Sequence, residues 1–170
     1  NPPYGKNANL AIRFVNEITP FAESAVWVLP RTMRKDSTLR KLDNHLHLTR
    51  DSDNPLDTFE IGVFTCTQTW ELREDLRVDE FIHCETSDFT FSSQEDCDIC
   101  IGRVGLGGCG KTYFDPENRS VQANHFIKVK SKKVIETLQS LEGQFRETAM
   151  NTAGNPSLTR QELKNIYVRH

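Results

Sequence analysis

No run of apolar residues in this 170-residue chain approaches the roughly 20 needed to cross a bilayer as a helix, and no signal-peptide pattern opens it. These absences exclude a helical membrane span and lead us to expect a cytoplasmic protein without a membrane partner. Excess positive charge is missing too. The 21 Lys and Arg stand against 24 Asp and Glu, a net charge of −3, so the chain as a whole lacks the field of a nucleic-acid binder. Internal repeats and low-complexity tracts are absent. The five cysteines, Cys66, Cys84, Cys97, Cys100 and Cys109, form an odd and scattered set. That argues against a disulfide framework and for free thiols in a reducing compartment. What is present suffices for a core: hydrophobic residues make up 36% and aromatics 9%, too many for wholesale disorder.

Charge is unevenly spread. Between Arg31 and Lys41 five basic residues (Arg31, Arg34, Lys35, Arg40, Lys41) meet one acid, Asp36, whereas Asp79 to Asp98 holds seven acids and no Lys or Arg. An anionic partner is expected to meet the first stretch.

Residues 7–22 are predicted as a helix with Leu10, Phe14 and Ile18 along its apolar stripe, Ala11 and Val15 widening it, and Pro20 ending it. Residues 24–30 lack polar alternation and predict a buried, parallel strand. Asp36 or Ser37 then caps an expected helix carrying Leu39, Leu42 and Leu46. Residues 59–72, where Phe59, Ile61 and Val63 alternate with Glu60 and Gly62, predict the longest strand. From 79 to 130 come short strand-like pieces (Phe81–Cys84, Phe89–Phe91, Cys100–Val104, His125–Lys130) between acidic or Gly-containing loops. Two helices close the chain: one capped by Ser131 and carrying Val134, Ile135, Leu138, Leu141 and Phe145, and one opened by the capping-box pair Thr159 and Glu162.

The chain opens on Asn1-Pro2-Pro3-Tyr4, followed by Gly5-Lys6-Asn7 and the first amphipathic helix. This resembles motif IV of S-adenosylmethionine-dependent amino-methyltransferases, a clamp at the carboxyl end of the fourth strand of their sheet. The likeness extends through Leu-Ala-Ile-Arg-Phe at 10–14 and Leu29-Pro30-Arg31-Thr32 to about Leu48. It implies an α/β fold: the C-terminal portion of a Rossmann-like class I methyltransferase sheet plus an α+β extension. Residues 1–75 would be the partial methyltransferase domain, with the strand near 59–72 in its final antiparallel pair. Residues 76–170 would be the extension and a candidate target-recognition region.

The chemistry of such a clamp follows from its acceptors. A conjugated exocyclic amino group is a poor nucleophile because its lone pair is delocalised. The Asn1 side-chain oxygen and the Pro2 carbonyl would bind its two hydrogens and favour a pyramidal nitrogen, Pro3 would stiffen the loop, and Tyr4 would offer a stacking face for a flipped base. The motif serves adenine in DNA, guanine in ribosomal RNA and glutamine in release factors; adenine in DNA is the first expectation, given the long extension. Arg31, Arg34 and Lys35 are expected at the carboxyl edge of the sheet as phosphate contacts, with Arg103 and Lys111 as further nucleic-acid contacts. A solvated helix face is the competing reading of the basic stretch, and a non-catalytic binding or assembly domain is the competing reading of the chain.

The Gly-rich cofactor turn that the family carries before motif IV is not found here. This chain is therefore expected neither to bind S-adenosylmethionine tightly nor to methylate alone. Removing the neighbouring strand would also leave an apolar edge, from which homodimerisation, or cover of the edge by the chain's own extension, is expected.

Three strings compete for attention. Gly105-Leu-Gly-Gly-Cys-Gly110-Lys111-Thr112 fits the phosphate-loop pattern, but Tyr113-Phe-Asp-Pro116 reads as a turn where a helix is needed. Cys97-Asp-Ile-Cys100 has metal-like spacing without a second pair, so no metal is expected. Asn118-Arg-Ser120 is a glycosylation string without meaning in the cytosol.

Overall fold

The computed structural model describes residues 1–59, 62–78 and 83–170. It is mixed α/β, with two antiparallel sheets and five α-helices. The chain divides into two compact units, Asn1–Phe81 with Asn151–Gly154, and Ile82–Met150 with Asn155–His170.

The first unit begins with a short 3-10 turn, Lys6–Ala8, and helix α1 (Asn9–Ile18), which a second 3-10 turn at Thr19–Phe21 extends to the proline expected to end it. Its buried face is Ala8, Ala11, Ile12 and Val15, at i, i+3, i+4 and i+7. The expected stripe lies beside that face: Leu10, Phe14 and Ile18 stay 42%, 39% and 48% exposed. Small and β-branched residues bring α1 close to the sheet, and the larger apolar side chains ride at its flank.

Strand β1 (Ser24–Pro30) forms where a strand was predicted, but it pairs antiparallel with β3 (Thr65–Leu72) and occupies an edge of its sheet. Only its Leu29–Pro30 end is buried, and Val26 is 68% exposed. An apolar run reports burial potential, not pairing direction, which is set by a partner about 40 residues away.

A 3-10 turn, Arg31–Arg34, and a single helical turn α2 (Asp36–Leu39) follow β1. The helix expected through Leu46 stops early, and Lys35 rather than Asp36 or Ser37 is the N-cap residue. The Asp43 carboxylate accepts from His45 N–H at 2.9 Å, and Asn16 clasps the turn through Lys41 O (2.8 Å) and Asp43 N (2.9 Å). That Asx turn overrides the helical spacing. Leu46 is buried, as its periodicity suggests, but it opens strand β2 (Leu46–Asp53).

The sheet order is β1-β3-β2, so β1 and β2 run parallel to one another on either side of the reversed β3. Of the strand expected over 59–72, Thr65–Leu72 is strand, residues 62–64 are not, and Glu60 and Ile61 lie outside the described residues. Leu29, Leu46, Cys66 and Trp70 from the sheet join Met33, Leu42 and the buried face of α1 in one core.

The second unit is a four-stranded antiparallel sheet of order β4-β7-β5-β6: β4 (Phe89–Phe91), β5 (Ile99–Gly102), β6 (Thr112–Tyr113) and β7 (Asn124–Val129). Three of the expected strand pieces appear close to their places. In the fourth, Phe81 and Ile82 lie outside the described residues, and His83–Cys84 are not strand. Helix α3 (Lys132–Ser140) follows Ser131, which sits at the N-cap without a side-chain cap bond. The expected continuous helix breaks at Leu141, and α4 (Glu142–Ala149) carries Phe145. Helix α5 (Arg160–Arg169) has the predicted capping box: Thr159 Oγ1 accepts from Glu162 N–H at 3.2 Å, and the Glu162 carboxylate accepts from Thr159 N–H at 2.7 Å. Phe89, Ile99, Ile101, Ile127, Leu138 and Phe145 lie in the core between sheet and helices. Among the described residues no helix is long and apolar enough to cross a membrane.

Candidate functional site

The Asn1–Tyr4 loop precedes the Lys6–Ala8 turn, which packs against the Arg31–Arg34 turn at the carboxyl end of β1. Backbone bonds anchor the loop to α1: the Tyr4 carbonyl accepts from Leu10 and Ala11 N–H at 3.1 and 3.3 Å. Gly5 sits at φ 66°, ψ −179°, a region open in practice to glycine alone, and a Cβ there would meet Leu10 Cγ at 2.8 Å. Asn7 and Ala8 also hold positive φ, 55° and 59°. Each such residue costs about 1–3 kcal/mol, strain that persists only where the surroundings over-determine the conformation.

Within the loop Pro2 is buried, Tyr4 is half-buried, and Asn1 and Pro3 are exposed. The Tyr4 hydroxyl donates to Asn1 Oδ1 at 3.1 Å, and its ring meets Phe59 edge-on with centroids 6.5 Å apart. Burial, with a lesser push from Cys66, raises the Tyr4 pKa. The hydroxyl therefore stays a donor at neutral pH and orients the Asn1 amide. An amide oxygen has two lone pairs, so Asn1 retains capacity for one more donor.

Cys66 connects this loop to a charged network. Its thiol donates to Leu29 O at 3.7 Å, and burial, reinforced by Asp51, pushes its pKa up to about 12. Arg34 clasps Asp51 bidentately (Nε–Oδ2 2.8 Å, Nη2–Oδ1 2.6 Å) and reaches Asp53 Oδ1 at 2.5 Å. Arg31 pairs with Asp53 Oδ2 at 3.2 Å, donates to Thr65 O at 3.3 Å, and lies over the Phe64 ring. Asp51 also accepts from Gln68 Nε2 at 3.1 Å, and Gln68 Oε1 accepts from the Trp70 indole N–H at 3.1 Å. The chain Trp70–Gln68–Asp51–Arg34 thus runs from the core to the turn that supports the clamp loop.

The residues expected from the sequence fall into two groups. Asn1, Pro2, Pro3, Tyr4, Arg31, Arg34 and Lys35 lie in the first unit; Arg103 and Lys111 lie in the second, exposed, after β5 and before β6. Arg31 and Arg34 spend their guanidinium groups on Asp51 and Asp53, and Lys35 is buried. A phosphate at this place would compete with two carboxylates. Asp51, Asp53 and Gln68 were not singled out by the sequence reading. Their signal is a period of two: Asp51 and Asp53 share one face of β2, and Gln68 is the polar member of the buried series Cys66, Gln68 and Trp70.

The Gly-rich turn 105–110 joins β5 to β6 in a hairpin, so Lys111-Thr112 enters a strand rather than a helix. Among the described residues no group of three or more His, Cys, Asp or Glu is placed to hold a metal. None of the five cysteines is in a disulfide; Cys66, Cys100 and Cys109 are buried, while Cys84 and Cys97 are half-buried. Burial also raises Cys100, to about 11. Burial raises Cys97 as well, but Cys84 and Cys97 are the two thiols partly open to solvent, so alkylation of the native protein at mildly alkaline pH is expected to stop there. Mass spectrometry of the alkylated protein checks this, and modification of Cys66 without denaturant refutes it.

Comparison of the chain with protein-family models, with curated proteins and with solved structures gives no match.

Proposed function

We propose that this chain is the motif IV to C-terminal portion of an S-adenosylmethionine-dependent methyltransferase acting on an exocyclic amino group, adenine N6 in DNA above all. The observation that carries the reading is the Asn1–Tyr4 loop itself: closed by a Gly5 turn, tied to α1, set against the turn that ends β1, and holding Asn1 and Tyr4 in hydrogen-bond contact. The reversed β3 between β1 and β2 is compatible with the antiparallel pair that the resemblance implies. The outer edge of β1 has no strand partner among the described residues. In this reading it receives the strand preceding Asn1 or, in the isolated chain, a second copy.

The described residues do not fit the methyl donor. The Gly-rich turn 105–110 links two antiparallel strands, and a cofactor turn needs a strand leading into a helix. In this reading the methyl donor is held by residues other than the described ones, and what the Asn1–Tyr4 loop contributes is the substrate side. Asn1 Oδ1 and the Pro2 carbonyl accept the two amino hydrogens, the nitrogen lone pair is freed from the ring, and the Tyr4 face supports the base.

Asn1→Ala in the complete enzyme is expected to lower methyl transfer to adenine-containing DNA by about a hundredfold, the cost of removing one preorganised polar group. Undiminished transfer defeats the clamp, and transfer to guanine or glutamine acceptors alone redirects the substrate. Calorimetric titration of the isolated chain with S-adenosylmethionine is expected to show no tight binding.

A further inference from the structure

The second unit holds a cleft of about 380 Å³ whose walls include Ser93, Glu95, Arg103, Asn124, His125 and Arg160. Its cations come from the end of β5 and the start of α5. Arg103 follows β5, where its N–H donates to Ala123 O at 2.9 Å and its carbonyl accepts from Leu158 N–H at 2.8 Å. Arg160 opens α5 with its guanidinium 4.9 Å from the centroid of the Phe91 ring. His125 is buried, and its Nε2 meets the Leu158 carbonyl at 2.8 Å. A carbonyl only accepts, so Nε2 carries the proton. Burial first, and then both arginines, lower the His125 pKa, so this wall is neutral at physiological pH.

These two arginines differ from the paired cations of the chain. Arg31 and Arg34 are neutralised by Asp51 and Asp53, Arg119 by Asp115, Lys128 by Asp96 and Lys164 by Glu85. Among the described residues no carboxylate is paired with Arg103 or Arg160. The lining carboxylate, Glu95, has its own partners: its backbone N–H and the Ser93 hydroxyl hold its pKa below the ordinary value. Glu162, near His125, is occupied by the Thr159 N–H of the capping box. Two guanidinium forks against one carboxylate leave the cleft with a surplus positive charge, suited to a tetrahedral oxyanion.

We infer that this cleft is a phosphate-binding site, with Arg103 and Arg160 as its ligands to the phosphate oxygens. The assignment rests on the methyltransferase reading only for the source of that phosphate, the backbone of a single nucleic-acid strand. An isolated phosphate ion has the same chemistry and is the other source. Arg160 was not among the residues expected from the sequence; its cleft partner Arg103 was, as a nucleic-acid contact.

The test uses the whole chain with two probes, a fluorescently labelled single-stranded oligodeoxynucleotide followed by anisotropy and inorganic phosphate followed by phosphorus NMR. Arg103→Ala and Arg160→Ala are each expected to weaken oligonucleotide binding about tenfold, the loss of one hydrogen-bonded charge, and to reduce the salt slope by about one. Arg→Lys at both positions keeps the charge, restores part of the affinity, and controls for damage to α5, with circular dichroism reporting the fold. If the Ala variants lose both probes, the site takes phosphate as such; if they lose only the oligonucleotide, the site is built for a strand. Either result supports the inference. Wild-type protein that binds neither probe, or a double Ala variant that binds both like wild type, overturns it. Methyl transfer by the complete enzyme and oligonucleotide binding by the isolated chain are separate readouts, so the clamp can fail while the cleft stands, and the reverse.

Discussion

Gly102→Ala is expected to cost the second unit about 3 kcal/mol or more and to lower its thermal midpoint by on the order of 10 °C. A Cβ on Gly102 would lie 2.0 Å from the carbonyl oxygen of Gly108 and 2.7 Å from its carbon. These are backbone atoms, and they are not free to yield. Gly110 N–H donates to Gly102 O at 2.8 Å, Gly102 N–H to Lys111 O at 2.9 Å, and Cys109 N–H to Gly105 O at 3.1 Å. Cys109, next to the clash, is buried in the core with Phe145 and Ile101. Relieving the overlap therefore means opening the hairpin and uncovering that part of the core. Gly107 is the control, since a Cβ there meets nothing within 4 Å and Gly107→Ala should stay within about 0.5 kcal/mol of wild type. Far-UV circular dichroism melting of both variants is the measurement, and equal midpoints would refute the close approach. Gly102, three residues before the phosphate-loop-like string, thus answers to the packing of the hairpin on itself.

Local signals were the legible ones. The capping box of α5 needs only Thr159 and Glu162 three residues apart, and β4, β5 and β7 needed only β-prone runs between turn residues. Pairing was not legible, because it depends on distant partners. Nothing in residues 24–30 names Thr65–Leu72 as the neighbour of β1, and nothing in Arg34 names Asp51. The latter contact exists because the β2–β3 register sets Asp51 opposite Gln68 and Asp53 opposite Cys66, which brings both carboxylates to the end of the sheet where the Arg31–Arg34 turn begins. Strand β2 itself was hidden by its own first residue. Leu39, Leu42 and Leu46 have helical spacing and are well covered, Leu42 and Leu46 fully, but the Asp43 turn intervenes and converts the third into a strand residue. The clamp loop stood out because its signal is four consecutive residues. The cleft around Arg103 and Arg160 did not, because it gathers side chains from places up to 68 residues apart, Ser92 to Arg160.

The coupling between that network and the core leads to the largest effect expected in the first unit. Trp70→Ala removes a fully buried side chain from β3, where it packs with Leu29, Leu46 and the inner face of α1, and should cost about 3–5 kcal/mol. Against a typical domain stability of about 5–15 kcal/mol, this is a large fraction of the total. Trp70→Phe separates packing from polarity. It keeps most of the ring volume but deletes the indole donor, so Gln68 Oε1 loses its partner while Gln68 Nε2 remains tied to Asp51. A buried acceptor left without a donor costs about 1–3 kcal/mol, so the Phe variant should fall between wild type and Ala. Both tryptophans, Trp27 and Trp70, lie in this unit, so in the Trp70 variants the emission of Trp27 reports the unfolding of the first unit by urea. If Trp70→Phe proves as stable as wild type, the Gln68 bond carries no weight and the network is decoration on an apolar core. If it is destabilised as expected, the support of the Arg31–Arg34 turn reaches back through Asp51 and Gln68 to the centre of the sheet, and the clamp loop rests on a rigid base.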